Sequence, residues 1–396
     1  MEKKNMDHIP NRFIQIKNTL KAVEHLKIHS MCSLEIDNKW LTQTENESCI
    51  DDFDIRDLLS KQIHDLYDVI NALSLKLYYV KSGSTGHTFH AYNPNNKISF
   101  AIKVVAYSKH KMYGNMYDIK RPENAELLLL KHLSAFVGSS QTPHLVLPVC
   151  SFYTSIRPFI NIYKNNYVDH KRYGEFVEKY NNGEYYDKVS VLISEWINGG
   201  DFLDYIRKFY RSMTLQTWKV FFFQILSTLA VIFNKYPSFR HNDMKANNIL
   251  VQNTDIDIKT FQYTINEQKY SCPNTNIQVR LWDFDFACIP NLIDNNKVNA
   301  KWTNKINVKA ERNQYYDIHY FFNTLYKKGF FPEFLTSRKI PDEIRNFVKR
   351  IIPEKYSKKP NVTENGRLFV NIEFMTPDYI LKNDPLFEEF RISSKL

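Results

Sequence analysis

Apolar residues recur along this chain with two different periods, and the switches between them divide it into elements. In residues 54–74, DIRDLLSKQIHDLYDVINALS, Ile55, Leu58, Leu59, Ile63, Leu66, Val69, Ile70 and Leu73 fall at three- and four-residue steps. That spacing predicts one amphipathic helix inside an N-terminal extension, 1–76, packing on the next lobe or receiving a partner. The runs LYYV and ISFAIKVV, within 77–105, predict two strands flanking the loop segment SGSTGHTF. RPENAELLLLKHLS, 121–134, has a proline near its start and puts Glu126, Leu129, Leu130 and Leu133 on one helical face. HLVLPVCSFY reads as a strand, 157–188 as a polar, Tyr-rich insertion, and 189–209 as strand, Gly-Gly turn and helix. Residues 214–236 form a long apolar helix. Its most apolar part, 220–233, is too short to span a bilayer and carries Gln224, Ser227 and Thr228, so it reads as buried. A short buried strand, 249–251, precedes a second polar insertion, 252–276, expected on the surface. In 288–314, Lys297, Lys301, Lys305 and Lys309 recur at steps of four and would form one basic face of a helix, either solvated or docking an acidic or phosphorylated substrate.

Composition narrows the class. A chain of 396 residues can bury more than one core, so two lobes plus an extension are expected. With 43% hydrophobic and 24% charged residues it is globular in composition. The formal charge of +10 suits a polyanionic partner, be it nucleotide, nucleic acid or acidic membrane, and equally serves solubility. Five cysteines, at 32, 49, 150, 272 and 288, form no CxxC pair, which argues against a zinc site or disulfide framework and for a reducing compartment. The N-terminal residues lack the apolar core of a signal peptide, so a cytoplasmic protein is expected.

Candidate chemistry lies in four strings. HNDMKANNIL, 241–250, spaces Asp243, Lys245 and Asn248 as phosphoryl transfer requires. Asp243 could accept a hydroxyl proton, Lys245 could neutralise the moving phosphoryl group, and Asn248 could ligate a metal through its amide oxygen. The plain alternative is a polar turn between helix and strand. RLWDFDFA, 280–287, delivers Asp283 at the end of a strand, an oxygen ligand suited with Asn248 to Mg²⁺. In SGSTGHTF, the backbones of Gly83 and Gly86 and the hydroxyls of Ser84 and Thr85 could meet phosphate, although hairpins use glycine freely. Lys103, inside an apolar strand, needs a carboxylate partner unless it snorkels to solvent; Glu126 is the first candidate and Glu123 the second.

The set HxDxKxxN, a DFG-like triplet and a glycine loop 17 residues before an AxK lysine resembles the eukaryotic-type protein kinase family. The resemblance spans about 77–330. It implies an α+β, two-lobed protein-kinase-like fold with a small β-rich N-lobe, 77–196, and a mainly helical, pared-down C-lobe, 197–396. It further implies ATP and Mg²⁺, with Lys103 held by Glu126 on the phosphates, Asn248 and Asp283 on the metal, and Asp243 and Lys245 at the acceptor. The adenine edge would meet the Glu195 carbonyl and the Ile197 N–H, Asp201 would reach the ribose, and Asp317 would brace the catalytic loop. Leu130, His241 and Phe284 would stack into a column or serve as plain core. The departures are Asn242 for the usual Arg, Asp285 for the usual Gly, Lys81 for the first glycine of the loop, and no APE triplet. Asn242 suggests activity that does not wait for loop phosphorylation. Asp285 either stiffens its turn or adds a carboxylate near the metal. Lys245 favours Ser/Thr-directed transfer to proteins, while a small-molecule kinase of the aminoglycoside or choline type and a pseudokinase remain as alternatives. HND, DFD and the missing APE are similar to the divergent kinases of large cytoplasmic DNA viruses.

Overall fold

The computed structural model describes residues 8–32, 54–83, 85–162 and 170–393. Ser84 and Cys49 lie outside the described residues. The N-lobe is a five-stranded antiparallel sheet with spatial order β1-β2-β3-β5-β4: β1 Lys76–Ser82, β2 Gly86–Tyr92, β3 Ser99–Ser108, β4 Pro148–Ser155 and β5 Tyr185–Glu195. Three strands therefore occupy 76–108, because HTFHAY pairs along its whole length with its neighbours and leaves only 83–85 as a turn.

The extension begins with α1, His8–Ala22, and then covers the open edge of the sheet. The single helix expected over 54–74 is two short ones, α2 Ile55–Leu59 and α3 Leu66–Ala72. The reason is the edge strand, whose unpaired backbone needs a partner. Between the helices, Tyr153 N–H donates to the Gln62 carbonyl and His64 N–H to the Tyr153 carbonyl, each at 2.8 Å. Ser60, at φ 48°, ends α2, and Asp65 caps α3. Lys61 is drawn inside at this break, donating to Tyr107 Oη and Ser190 Oγ at 2.9 and 2.6 Å. Burial holds its pKa well below the usual lysine range.

α4, Pro122–Gly138, packs behind the sheet. The stretch expected as a polar insertion, 157–188, contributes α5 Arg157–Ile160, α6 His170–Asn181 and the start of β5. Phe159, Tyr173 and Phe176 enclose the ring of His87, the last at 4.5 Å between centroids.

The C-lobe is built around α8, Leu215–Lys235, preceded by α7, Phe202–Phe209, and followed by α9 Tyr316–Leu325, α10 Asp342–Ile351 and α11 Pro377–Asn383. α8 runs past the apolar stretch at both ends and is long and apolar enough to cross a membrane by length alone, but its residues 220–233 are buried among the other helices. β6, Ile249–Asn253, pairs with β9, Ile277–Leu281, and brings the two acidic strings side by side. The second insertion is a hairpin, β7 Thr260–Ile265 and β8 Gln268–Pro273. It is not merely surface: Tyr263 and Tyr270 are buried against Phe223 of α8 at 5.1 and 5.4 Å. Residues 288–314 contain no α-helix, only a 3₁₀ turn at Lys301–Ile306, so the four lysines share no face. Lys297 turns inward to Asp285, and Lys309 reaches Glu311 at 3.5 Å.

Three histidines are buried neutral, and burial depresses each below the usual 6.5: His87 to about 4, His132 to about 3 and His319 to about 4. Unfolding lets them take up protons below pH 6.5, so the unfolded chain binds more protons there and stability is lost as the pH is lowered. Thermal melts should lose Tm steadily from pH 6.5 toward 4, and His87→Phe should lose less over that interval than the native chain.

Candidate active site

Burial alternates along β3, with Phe100, Ile102 and Val104 inward and Lys103 on the half-buried face toward the cleft. α4 supplies its partner. The Lys103 ammonium donates to Glu126 Oε1 and Oε2 at 2.6 and 2.8 Å and lies 3.5 Å from Asp283 Oδ1. Glu123 is instead engaged by Arg121 at 3.2 Å. Burial works against the Lys103 charge, but Glu126, Asp283 and Asp285 outweigh it and raise its pKa. Burial likewise pushes the Glu126 carboxyl up to about 7, with Lys103 opposing. One strand, one helix and one turn are thus tied by a single ammonium.

The glycine turn is tighter than a phosphate cradle alone requires. A Cβ on Gly86 would fall 1.8 Å from the Val104 carbonyl oxygen, so close approach of β2 to β3 demands glycine there. The Gly83 N–H donates to the Gly86 carbonyl at 2.8 Å and is already used. Thr85 is exposed at the tip.

The catalytic loop hangs from Asp317, fully buried in α9. Its two oxygens accept the N–H groups of His241 and Asn242 at 2.8 and 2.9 Å. Asn242 has φ 62°, a left-handed conformation that asparagine tolerates better than most residues. Asp243 then faces the cleft, its Oδ2 accepting from Lys245 at 2.8 Å and from the Asn248 side-chain amide at 2.9 Å. With its NH₂ turned to Asp243, Asn248 keeps its amide oxygen without a hydrogen-bond partner among the described residues. Asp283, at φ 66°, extends its carboxylate toward the same space. Burial would raise its pKa, but Lys103, His241, Lys245 and Lys297 lower it on balance. Two oxygen ligands beside phosphate-binding cations are what Mg²⁺ takes in such sites, so the residues fit the metal. The His241 and Phe284 rings lie 5.1 Å apart, and Leu130 is buried in α4.

Residues 91–389 match the family model described as "Poxvirus serine/threonine protein kinase". The chain belongs to this family. It is 49% identical over 343 residues, 84% of this chain and 73% of the relative, to "Putative serine/threonine-protein kinase R400" of Acanthamoeba polyphaga mimivirus. "Serine/threonine-protein kinase 2" of Swinepox virus is 32% identical over 135 residues, 32% of this chain and 27% of the relative. The fowlpox protein of the same name is 24% identical over 290 residues, 70% of this chain and 59% of the relative. The chain is a Ser/Thr protein kinase of viral type with a two-lobed α+β fold.

Two of the kinase's departures from the usual motifs, Asn242 and Asp285, acquire physical roles. Asn242 donates through Nδ2 to the carbonyls of Phe286 and Lys309 at 3.1 and 3.0 Å, pinning both ends of the activation segment to the catalytic loop. Asp285 is in an ordinary backbone conformation, and its carboxylate is paired with Lys297, whose ammonium lies 4.0 Å over the Phe286 ring. The carboxylate therefore serves the segment's own structure.

In the connector to the C-lobe, the Glu195 side chain is engaged by α1 and by the residue just before β4. Arg12 of α1 donates to both its oxygens at 2.7 Å, and the Leu147 N–H adds a third bond at 2.8 Å. Burial opposes the Glu195 charge, but Arg12 wins and lowers its pKa. The Gly-Gly turn docks on β6: Gly199 N–H donates to the Val251 carbonyl at 2.8 Å, where a Cβ would stand 2.4 Å from that oxygen. Asp201 caps α7, accepting from Asp204 N–H at 2.9 Å, and burial raises its pKa. Ile197 is buried.

Sequence reasoning missed Arg367. It comes from the C-terminal tail, is buried, and donates through Nη2 to Asp243 Oδ1 and through Nη1 to the Asn242 carbonyl, with its guanidinium 4.1 Å over the Tyr320 ring. The turn-forming NG before it and the apolar LFV after it are the only local signals. Arg367→Lys should lower kcat by about tenfold or more with the KM for ATP unchanged, because a point cation cannot hold both acceptors. Arg367→Ala should also cost about 2 kcal/mol in denaturant melts, since it removes charge-assisted bonds to a buried carboxylate that keeps only Lys245 as a cation.

Proposed function

We propose that the kinase passes the γ-phosphoryl group of ATP directly to a Ser or Thr hydroxyl of a protein, with the residues gathered in this cleft doing the chemistry. The observation that carries this reading is the contact of Lys103 with both Glu126 and Asp283, which joins the N-lobe to the turn after β9, beside the loop that holds Asp243 and Asn248. The bond from the γ-phosphorus to the oxygen bridging it to the β-phosphate breaks, and a bond to the acceptor oxygen forms. The acceptor's proton passes to Asp243. Lys245, partly exposed, leaves Asp243 Oδ2 for the γ-phosphate, while Arg367 keeps Oδ1 in place. Lys103 holds the α- and β-phosphates, and Gly83, Thr85 and Gly86 cover them. The Glu195 carbonyl and Ile197 N–H take the adenine edge, and Asp201 the ribose through the oxygen its cap leaves over. Asn248 and Asp283 would hold Mg²⁺, which neutralises charge on the phosphate oxygens. Positioning and charge neutralisation supply most of the rate. A cytoplasmic setting belongs to the proposal and is supported by four buried free thiols, Cys32, Cys150, Cys272 and Cys288.

The test is a transfer assay with labelled Mg-ATP on basic and acidic proteins, on the kinase itself, and on choline and an aminoglycoside. Label should appear on Ser or Thr and fall about 10²- to 10⁴-fold in Asp243→Ala. Label on a small molecule, or an unchanged rate in that variant, would sink the proposal.

Asn242 supports activity independent of loop phosphorylation. Thr303 is itself buried, its hydroxyl donating to the Val298 and Ala300 carbonyls, so it is no accessible acceptor. Phosphatase treatment should leave the rate within about twofold, whereas Asn242→Ala, which frees both ends of the segment, should lower it about tenfold.

A further inference from the structure

A cavity of about 590 Å³ opens beside the catalytic loop, on the C-lobe side of Asp243. Its lining includes Lys245, Tyr320, Lys327, Lys328, Glu364 and Arg367. Lys245 and Arg367 are the two cations bonded to the Asp243 carboxylate, so the cavity adjoins the place where an acceptor hydroxyl must come. Four separate parts of the chain build it: the catalytic loop, the segment at Ile306, α9 with the residues just after it, and the tail turn. Asn323 of α9 fixes that turn by donating to the Gly366 carbonyl at 2.8 Å, and Asn307 donates to the Leu368 carbonyl.

The charge of the wall is one-sided. The lining sets Lys245, Arg367, Lys327 and Lys328 against Glu364, and once the Asp243 carboxylate bonded behind Lys245 and Arg367 is counted, two positive charges remain in excess. Glu364 is itself engaged by Lys359 at 2.8 Å. The Lys327 ammonium donates to the Ser357 carbonyl at 2.7 Å and keeps further donors, while Lys328 is exposed and has no ion-pair or hydrogen-bond partner among the described residues. An ammonium has three donors and no acceptor, so a lysine facing a cavity is completed by an anion. A basic side chain in the same place would meet like charge.

We propose that this cavity is a substrate subsite that takes an acidic or phosphorylated side chain near the acceptor Ser or Thr in the protein sequence. The proposal rests on the kinase reading above and adds the class of protein it selects. Carboxylate and phosphate share the required chemistry, and phosphate, with more charge and more acceptor oxygens, gains more from Lys327 and Lys328 together.

The experiment is a peptide series with one Ser acceptor in which Asp, phosphoserine, Ala or Lys is placed at each neighbouring position in turn, with kcat/KM measured at saturating Mg-ATP. At one position, Asp should be preferred over Ala by about fivefold and phosphoserine by about tenfold or more, with Lys disfavoured. Lys328→Glu, an exposed substitution whose folding is checked by its melt, should abolish or reverse that order. A flat profile, or the same preference in Lys328→Glu, overturns the subsite while leaving the kinase standing. No label on any peptide or protein from the native chain removes both. Equal gain from Asp and phosphoserine assigns the subsite to carboxylates, and a gain from phosphoserine alone assigns it to pre-phosphorylated substrates.

Discussion

One buried carboxylate orders the active site. Asp317 gives its two oxygens to two consecutive backbone N–H groups, and in doing so holds Asn242 in a left-handed turn that neither neighbour would adopt unaided. That turn aims Asp243 into the cleft, sets His241 against Phe284, and leaves the Asn242 side chain free to clasp the activation segment. Without the carboxylate, two buried N–H groups would lie unsatisfied at the root of the loop, each at a cost of roughly 1–3 kcal/mol. The loop, the metal-side turn and the segment between them would lose their common anchor.

The cleft that results is an electrostatic assembly in which each charge has a nearby opposite. Glu126 and Asp283 share Lys103, Lys245 and Arg367 share Asp243, and Lys297 takes Asp285. Burying such groups is costly singly and tolerable in pairs. Lys103 and Asp243 each keep two opposite charges, so either can lose one partner without being left buried and alone. Lys245 is the exchangeable member, being partly exposed, and Arg367 the fixed one.

The chemistry-bearing strings were legible because their spacing is local: HNDMKANN and DFD sit on adjoining strands, and Lys103 meets a helix that starts soon after it. Glu126 over Glu123 followed from the resemblance, because the two lie one turn apart on the same side of the helix and phase alone does not separate them. What escaped was set by distant partners. The helix expected over 54–74 breaks because β4 needs backbone company, a demand that no periodicity in that stretch records. The lysines at steps of four belong to a segment fastened by Asn242 and Asp285, so their spacing carries no helical meaning. Arg367 stands 124 residues from Asp243 and Arg12 stands 183 from Glu195, and neither lies in a motif. The apolar faces of Tyr263 and Tyr270 were masked by the polar residues alternating with them in a hairpin.

The Arg12 and Glu195 pair ties the extension to the connector between the lobes. Arg12 also bonds the carbonyls of Pro143 and Leu145 at 2.7 and 2.6 Å, so α1 splints the hinge from outside. A core trimmed to the motif-bearing lobes would keep every motif and yet inherit a buried acid at its pivot with only the Leu147 N–H and the more distant Arg280 to balance it. The pivot between the lobes is therefore anchored from a part of the chain that no catalytic motif marks.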